Sequence, residues 1–317
     1  MKFFNKMMLL AGLILFSASF MAQANNCNFS GNTSEESHNV NFGNIIVQRD
    51  LAVGSTIATA ETGDYAVRVG CKGSFTYRLE PTKWTTLSAL GNKIYNTNIP
   101  GVGAQIVDKS WNLSAPFDST YDYGSAGGAI GPYRGYKVIL IKTGDITGGT
   151  LETGTLARGS IVNEFYYSDV VLDGTNTISS VACTVTSQEP VSVALGEHDK
   201  SEFGGVGSST GWTAFDIGLQ CDKNARINVR IDATQDASGI TGVMRLDNDQ
   251  DAASGVGVEL WYQHTNTPVA FGKVLSNYWT SGGGPERVQL QARYRQTAET
   301  VTAGAANATA TFTLTYQ

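Results

Sequence analysis

Gly207-Ser-Ser-Thr-Gly211 sets a serine between two glycines at the spacing of a nucleophile elbow, with Ser209 as the attacking hydroxyl. An elbow needs a strand before it, a helix after it, and a histidine and an acid within reach. The residues that follow, WTAFDIGLQC at 212–221, read as a strand, so acyl transfer is not expected there. Asp247-Asn-Asp-Gln-Asp251 opens like a calcium loop, but Ala252 stands where the loop needs glycine and Val258 where it needs a bidentate glutamate. It reads as a solvated acidic turn. The three histidines, His38, His198 and His264, are far apart, and no CxxC or Cys/His cluster is present, so neither metal nor cofactor is expected. A carboxylate pair for glycoside hydrolysis would meet only in space, and nothing along the chain singles one out. The N-x-S/T triplets at Asn28, Asn32, Asn112 and Asn307 are what an Asn- and Thr-rich chain contains by chance.

One stretch has the makings of a recognition surface: KSWNLSAPFDSTYDYGSAGGAIGPYRGY, residues 109–136. Trp111, Tyr121, Tyr123, Tyr133 and Arg134 accompany Asn112, Asp118 and Asp122 in a Gly-rich segment with little periodicity. Aromatic faces stack on sugar rings or peptides with little rotamer loss, and Asn or Asp bonds hydroxyls. The competing reading makes half of these aromatics core residues at an irregular sheet edge.

The elements that must position these residues are strands. Gly is abundant at 36, only 16% of residues are charged, and short β-rich runs alternate with Gly, Asn, Asp, Ser and Thr clusters. Candidates in the first half are 40–47, 65–71, 75–79, 104–108, 135–142 and 163–172. In the second they are 182–186, 215–221, 226–232, 256–263, 288–294 and the alternating tail. Such spacing implies sandwiches or barrels. Residues 1–24 have a signal peptide's basic start (Lys2, Lys6), short apolar core and Ala22-Gln-Ala24 cleavage site. Without them the 22 basic residues fall to about 20 against 28 acids, a net charge near −8, which argues against nucleic acid and anionic lipid as partners. In an oxidising compartment the 4 cysteines allow three connectivities. The simplest is Cys27 with Cys71 and Cys183 with Cys221, each bridge worth up to about 4 kcal/mol in the chain-entropy model. Small polar residues at 173–180 read as a break between strands, which divides the chain into domains at 25–178 and 179–317.

The tail alternates from Ala306 onward. Ala306, Ala308, Ala310, Phe312, Leu314 and Tyr316 form one face and polar residues the other, and no following strand covers the edge. An apolar strand edge left open is an aggregation hazard unless another chain fills it. The second half resembles a pilin domain of the chaperone-usher fimbrial family, carried by CTVTSQEPVSVALG from Cys183, FDIGLQC to Cys221, GVGVELW, LQARY and the terminal TFTLTYQ. Family pilins have a penultimate Tyr and an upstream Gly, here Tyr316 and Gly304. In the first half, VNFGNIIVQRDLAVGSTIAT and GNKIYNTNIPGVGAQIV resemble the receptor-binding domain of two-domain tip adhesins, most closely the type 3 fimbrial adhesin. The mannose-binding type 1 adhesin uses an N-terminal Phe and an Asn-Asp pair after its second cysteine. Asn25 and Lys72-Gly73-Ser74 stand at those places, which argues against mannose.

The resemblance implies an all-β protein of two immunoglobulin-like, Greek-key β-sandwiches, the C-terminal one an incomplete pilin fold needing a donated strand. It implies a non-enzymatic tip adhesin exported through the periplasm to the cell surface. Its partners would be a periplasmic pilus chaperone, the outer-membrane usher, an adjacent pilin donating a strand, and a host receptor, either matrix protein or glycan. Gly304, Ala306, Ala308, Ala310, Phe312, Leu314 and Tyr316 would form the pairing edge. A start at Asn25 leaves no extension before Cys27 to donate, so the protein is expected to cap a fibre. The alternative is a minor pilin or adaptor whose first domain is a spacer.

Overall fold

A computed structural model describes residues 26–64, 66–131, 134–275 and 279–316. The leader at 1–24, Asn25 and Tyr133 lie outside them. The first domain's strands of three or more residues are β1 (Cys27–Phe29), β2 (Glu36–Val40), β3 (Asn44–Gln48), β4 (Thr56–Glu61), β5 (Val69–Cys71), β6 (Ser74–Pro81), β7 (Val102–Asp108), β8 (Phe117–Asp122), β9 (Gly128–Ile130), β10 (Tyr136–Lys142), β11 (Gly154–Ile161), β12 (Phe165–Leu172) and β13 (Thr177–Val181). The second domain contributes β14 (Cys183–Val185), β15 (Thr213–Cys221), β16 (Arg226–Asp232), β17 (Val256–Tyr262), β18 (Gly284–Gln296) and β19 (Thr311–Tyr316). Only one short 3-10 turn, Lys200–Glu202, is helical among the described residues.

In the first sandwich the sheet β8-β6-β11-β12-β2 faces the sheet containing β4-β10-β7. Tyr77, Tyr136, Tyr167, Leu79, Leu140 and Leu156 are fully buried between them. Two of the tyrosines keep their polar ends satisfied as burial requires, and the Tyr167 hydroxyl is buried without a hydrogen-bond partner among the described residues. Tyr77 Oη donates to Asp108 Oδ2 at 2.9 Å, and Tyr136 Oη shares a 2.7 Å bond with Ser168 Oγ. Burial pushes the Asp108 carboxyl up from its ordinary range, opposed by the donors that reach it from Tyr77 and Ser110. In the second sandwich, β14-β15-β18-β17 packs over β16-β19 around Leu219, Ile227, Val229, Val288, Leu290 and Tyr316. Both cystines join directly opposed residues of adjacent strands, Cys27 with Cys71 and Cys183 with Cys221.

Several sequence expectations change. The run 40–47 is two strands, because Gly43 takes a positive φ of 63° and its N–H is held by Asn41 Oδ1 at 2.8 Å. The halves then pair in parallel with different partners, β2 with β12 and β3 with β13. The supposed break at 173–180 is a turn only as far as Asn176, and β13 runs on to within one residue of β14. The terminal strand is regular from Thr311, not Ala306. β4, β8 and β11 were not expected as strands.

β11 escapes a hydrophobicity pattern because its small residues are steric requirements. A Cβ on Gly159 would lie 2.3 Å from the hydroxyl of buried Tyr167. Gly159→Ala should therefore cost about 1–3 kcal/mol through overpacking and lower the first domain's thermal transition in near-ultraviolet circular dichroism. Gly211→Ala, with nothing near its new methyl, should leave that transition in place.

Candidate functional site

A groove of about 1110 Å³ runs along the second sandwich. Its floor is core surface: Ile217, Ile231, Met244, Val258, Leu260 and Leu290. One wall is residues 306–316 and the other is the stretch 189–196 after β14. Both walls alternate, except that Ala310 in the first, expected on the pairing face, is exposed like its neighbours Thr309 and Thr311. Ala306, Ala308, Phe312 and Leu314 are half-buried while Asn307, Thr309, Thr311 and Thr313 are exposed; opposite, Val191, Val193 and Leu195 are half-buried between exposed Ser192 and Ala194. A side chain that points inward and still remains half-exposed is facing a gap.

Backbone geometry says the same. β19 pairs only with β16, with Leu314 opposite Val229 and Phe312 opposite Ile231. The Val229 and Ile231 carbonyls accept from Leu275 and Gly272 on the far side of β16, at 2.7 and 2.9 Å. In an antiparallel ladder these groups alternate in direction, so Asn228, Arg230 and Asp232 bond β19 through Thr315, Thr313 and Thr311. The N–H and C=O of Phe312 and Leu314 therefore point out of the sheet, beside the groove.

The ends of this wall are fixed. At the top, Asp247 N–H donates to the Asn307 carbonyl at 2.8 Å, Thr309 Oγ1 donates to Asp247 Oδ2 at 2.8 Å, and Ala305 N–H donates to the Asp251 carbonyl at 2.7 Å. The acidic turn is thus a latch on the wall. Gly304 lies off the groove, and its role is close approach: a Cβ there would sit 2.4 Å from the Asp251 carbonyl oxygen. At the bottom, Tyr316 is buried and its hydroxyl donates to the Cys183 carbonyl at 3.1 Å. Burial raises that hydroxyl's pKa.

The residues predicted for recognition at 109–136 are sorted by face rather than gathered into one cluster. Phe117, Ser119, Tyr121 and Tyr123 turn inward, and Tyr121 and Tyr123 pack on Phe75 with centroids 5.7 and 5.2 Å away. Trp111 is half-buried against Tyr77 at 4.7 Å. Asp118 and Asp122 turn outward. Asp118 receives the Arg78 guanidinium at 2.8 and 2.7 Å, which holds its carboxyl below the ordinary range. Asp122 accepts the Gly124 N–H at 2.8 Å. Asn112 is exposed in a positive-φ turn, and Arg134 is exposed, its N–H on Ser110 Oγ.

The other chemistry-bearing residues stay apart. Ser209 forms only an isolated bridge to Arg295, and a strand, β15, follows it. His38 is buried beside Tyr136, and burial lowers its pKa. His198 is held by Glu202, whose hydrogen bond raises its pKa. Among the described residues no three His, Cys, Asp or Glu side chains converge to hold a metal ion.

Comparison with known proteins completes the description. A family model described as "Fimbrial protein" matches residues 173–317, and one described as "MrkD-like receptor binding domain" matches residues 38–180. A fimbria adhesin protein of Klebsiella pneumoniae is 30% identical over 303 residues, covering 88% of this chain and 90% of its own length. A type-1 fimbrial protein subunit of Serratia marcescens is 32% identical over 152 residues, 45% of this chain and 84% of that subunit. The crystal structure of the receptor-binding domain of the plasmid-borne adhesin MrkD1P of Klebsiella pneumoniae covers 50% of this chain and 97% of itself at 25% identity, with a TM-score of 0.42. With a receptor-binding domain preceding a pilin domain, the chain belongs to the fimbrial adhesins.

Proposed function

We propose that the groove takes a β-strand from another chain: first from a periplasmic chaperone, then, after passage through the outer-membrane usher, from the adjacent pilin. The protein then sits at the pilus tip, where its first domain binds a host matrix protein or glycan without catalysis. The observation that carries this reading is the outward-facing backbone of Phe312 and Leu314 beside an apolar groove of about 1110 Å³. An incoming strand satisfies the edge by β-augmentation and covers the half-exposed side chains. Each apolar side chain it buries fully is worth about 1.5–3 kcal/mol.

The first described residues are tied into the first domain. Cys27 is buried and bridged to Cys71, and the N–H groups of Asn26 and Cys27 donate to the Glu164 carboxylate at 3.0 and 2.9 Å. From Cys27 onward the chain is committed to its own sandwich.

Phe312→Asp or Leu314→Asp places a charge where a strand should seal the groove, at a cost of several kcal/mol. Co-purification with the periplasmic chaperone should be lost, whereas Phe312→Leu should retain it. Unchanged recovery of the aspartate variants in assembled pili would refute strand donation, and so would a stable monomeric wild-type chain without chaperone or donor.

For the receptor we propose the outward-facing Asn112, Asp118, Asp122 and Arg134, with Trp111, Tyr121 and Tyr123 as the half-exposed aromatic margin. Pili carrying Asp122→Ala with Arg134→Ala should bind immobilised collagen, fibrinogen or a glycan array at least about tenfold more weakly, the loss of one or two good polar contacts. Wild-type binding by that double variant would remove the segment from the site, and wild-type pili that bind none of these surfaces would favour the adaptor reading.

A further inference from the structure

The open edge is closed at one rung, and the residue that closes it belongs to the other domain. Asp50 lies just past β3, and its N–H donates to the Tyr316 carbonyl at 3.1 Å while its Oδ2 accepts the Tyr316 N–H at 3.0 Å. Those are the two groups an added strand would use at that position. The aspartate is held in place from several sides. Arg49 Nε donates to Asp50 Oδ1 at 3.0 Å, and the Arg49 guanidinium lies over the Tyr316 ring, 4.5 Å from its centroid. Gln48 bonds the Asn224 carbonyl at 3.0 Å and accepts the Arg226 N–H at 2.8 Å, and the Arg49 N–H donates to the Val181 carbonyl at 3.1 Å.

We propose that Asp50 is a stop for the incoming strand: it occupies the Tyr316 rung, so pairing begins at Leu314 and the register of the donated strand is set from the receptor-binding domain. Register matters because a slip of one residue turns every inward side chain outward. Rungs on one edge recur every second residue, so displacing Asp50 would let pairing advance by two residues. The donated side chains would then meet different stretches of the floor. A fixed first rung makes one alignment the default. It also means that a strand reaching Tyr316 must break the contact between domains.

This inference rests on the strand-accepting reading above, and the test separates the two. The full chain is refolded around a synthetic, isotope-labelled peptide of alternating valine and threonine long enough to span the groove. Amide exchange and nuclear Overhauser contacts then locate its last paired residue. With the wild-type chain, Phe312 and Leu314 amides should gain protection and peptide contacts should end at Leu314. Asp50→Asn, which keeps an oxygen acceptor, should give the same end point. Asp50→Pro, which removes both the carboxylate and the backbone N–H, should move it one rung, with peptide contacts reaching Tyr316. Peptide contacts to Tyr316 in the wild-type complex, or one end point in all three chains, would overturn the stop. Absence of protection at both Phe312 and Leu314 would sink strand acceptance itself, and the stop with it.

Discussion

One strand of the second sandwich is hydrogen-bonded on a single side, and most of what distinguishes this molecule depends on it. β19 supplies Thr311, Thr313 and Thr315 to β16 and turns Phe312 and Leu314 outward. An exposed backbone edge alone is tolerable, since water can satisfy it. An exposed apolar floor alone is tolerable if it is small. Their coincidence along one line is what sheet proteins otherwise avoid by charge, bulge or cover. Here the described residues on both walls stay uncharged from Ala306 to Thr315 and from Pro190 to Gly196. The surface is built to be covered by a strand and would otherwise attract any strand.

The junction between the domains shows how such a domain can serve an adhesive one. Only Ala182 separates β13, which pairs in parallel with β3, from β14, which carries the cystine of the second sandwich. A connection this short has none of the slack of a flexible linker. Gln48, Arg49 and Asp50 add a second connection, from the end of β3 to the start of β16 and the end of β19. Load placed on the first domain therefore reaches the strand beside the groove by two routes, one covalent and one hydrogen-bonded.

How much of this could be read from the sequence depends on how local each cause is. The alternation of Ala306 to Tyr316 is local, and it revealed a strand with one apolar face. Its partner wall was legible in the same way, as Val191, Val193 and Leu195. β8 carried the same signal in FDSTYD, but its outward Asp118, Thr120 and Asp122 made it look like a loop. β11 was hidden because Gly159 answers to Tyr167 across the sheet, a demand no neighbour in sequence shares. Asp50 was invisible for the same reason on a larger scale. It is an ordinary polar residue in Arg49-Asp50-Leu51 until folding brings it to Tyr316.

The two latches also set how much strand the groove can take. Asn307 and Thr309 are tied to Asp247, while Tyr316 is tied to Asp50. Between them the wall runs from Ala310 to Thr315, roughly 20 Å at about 3.3 Å per residue. A strand of that length directs every second side chain inward, so about three can enter. One anchor comes from the acidic turn and the other from the first domain. At the base, Tyr316 Oη meets the Cys183 carbonyl. Bracing this wall at both ends opposes its collapse across the gap, and that leaves the apolar floor open.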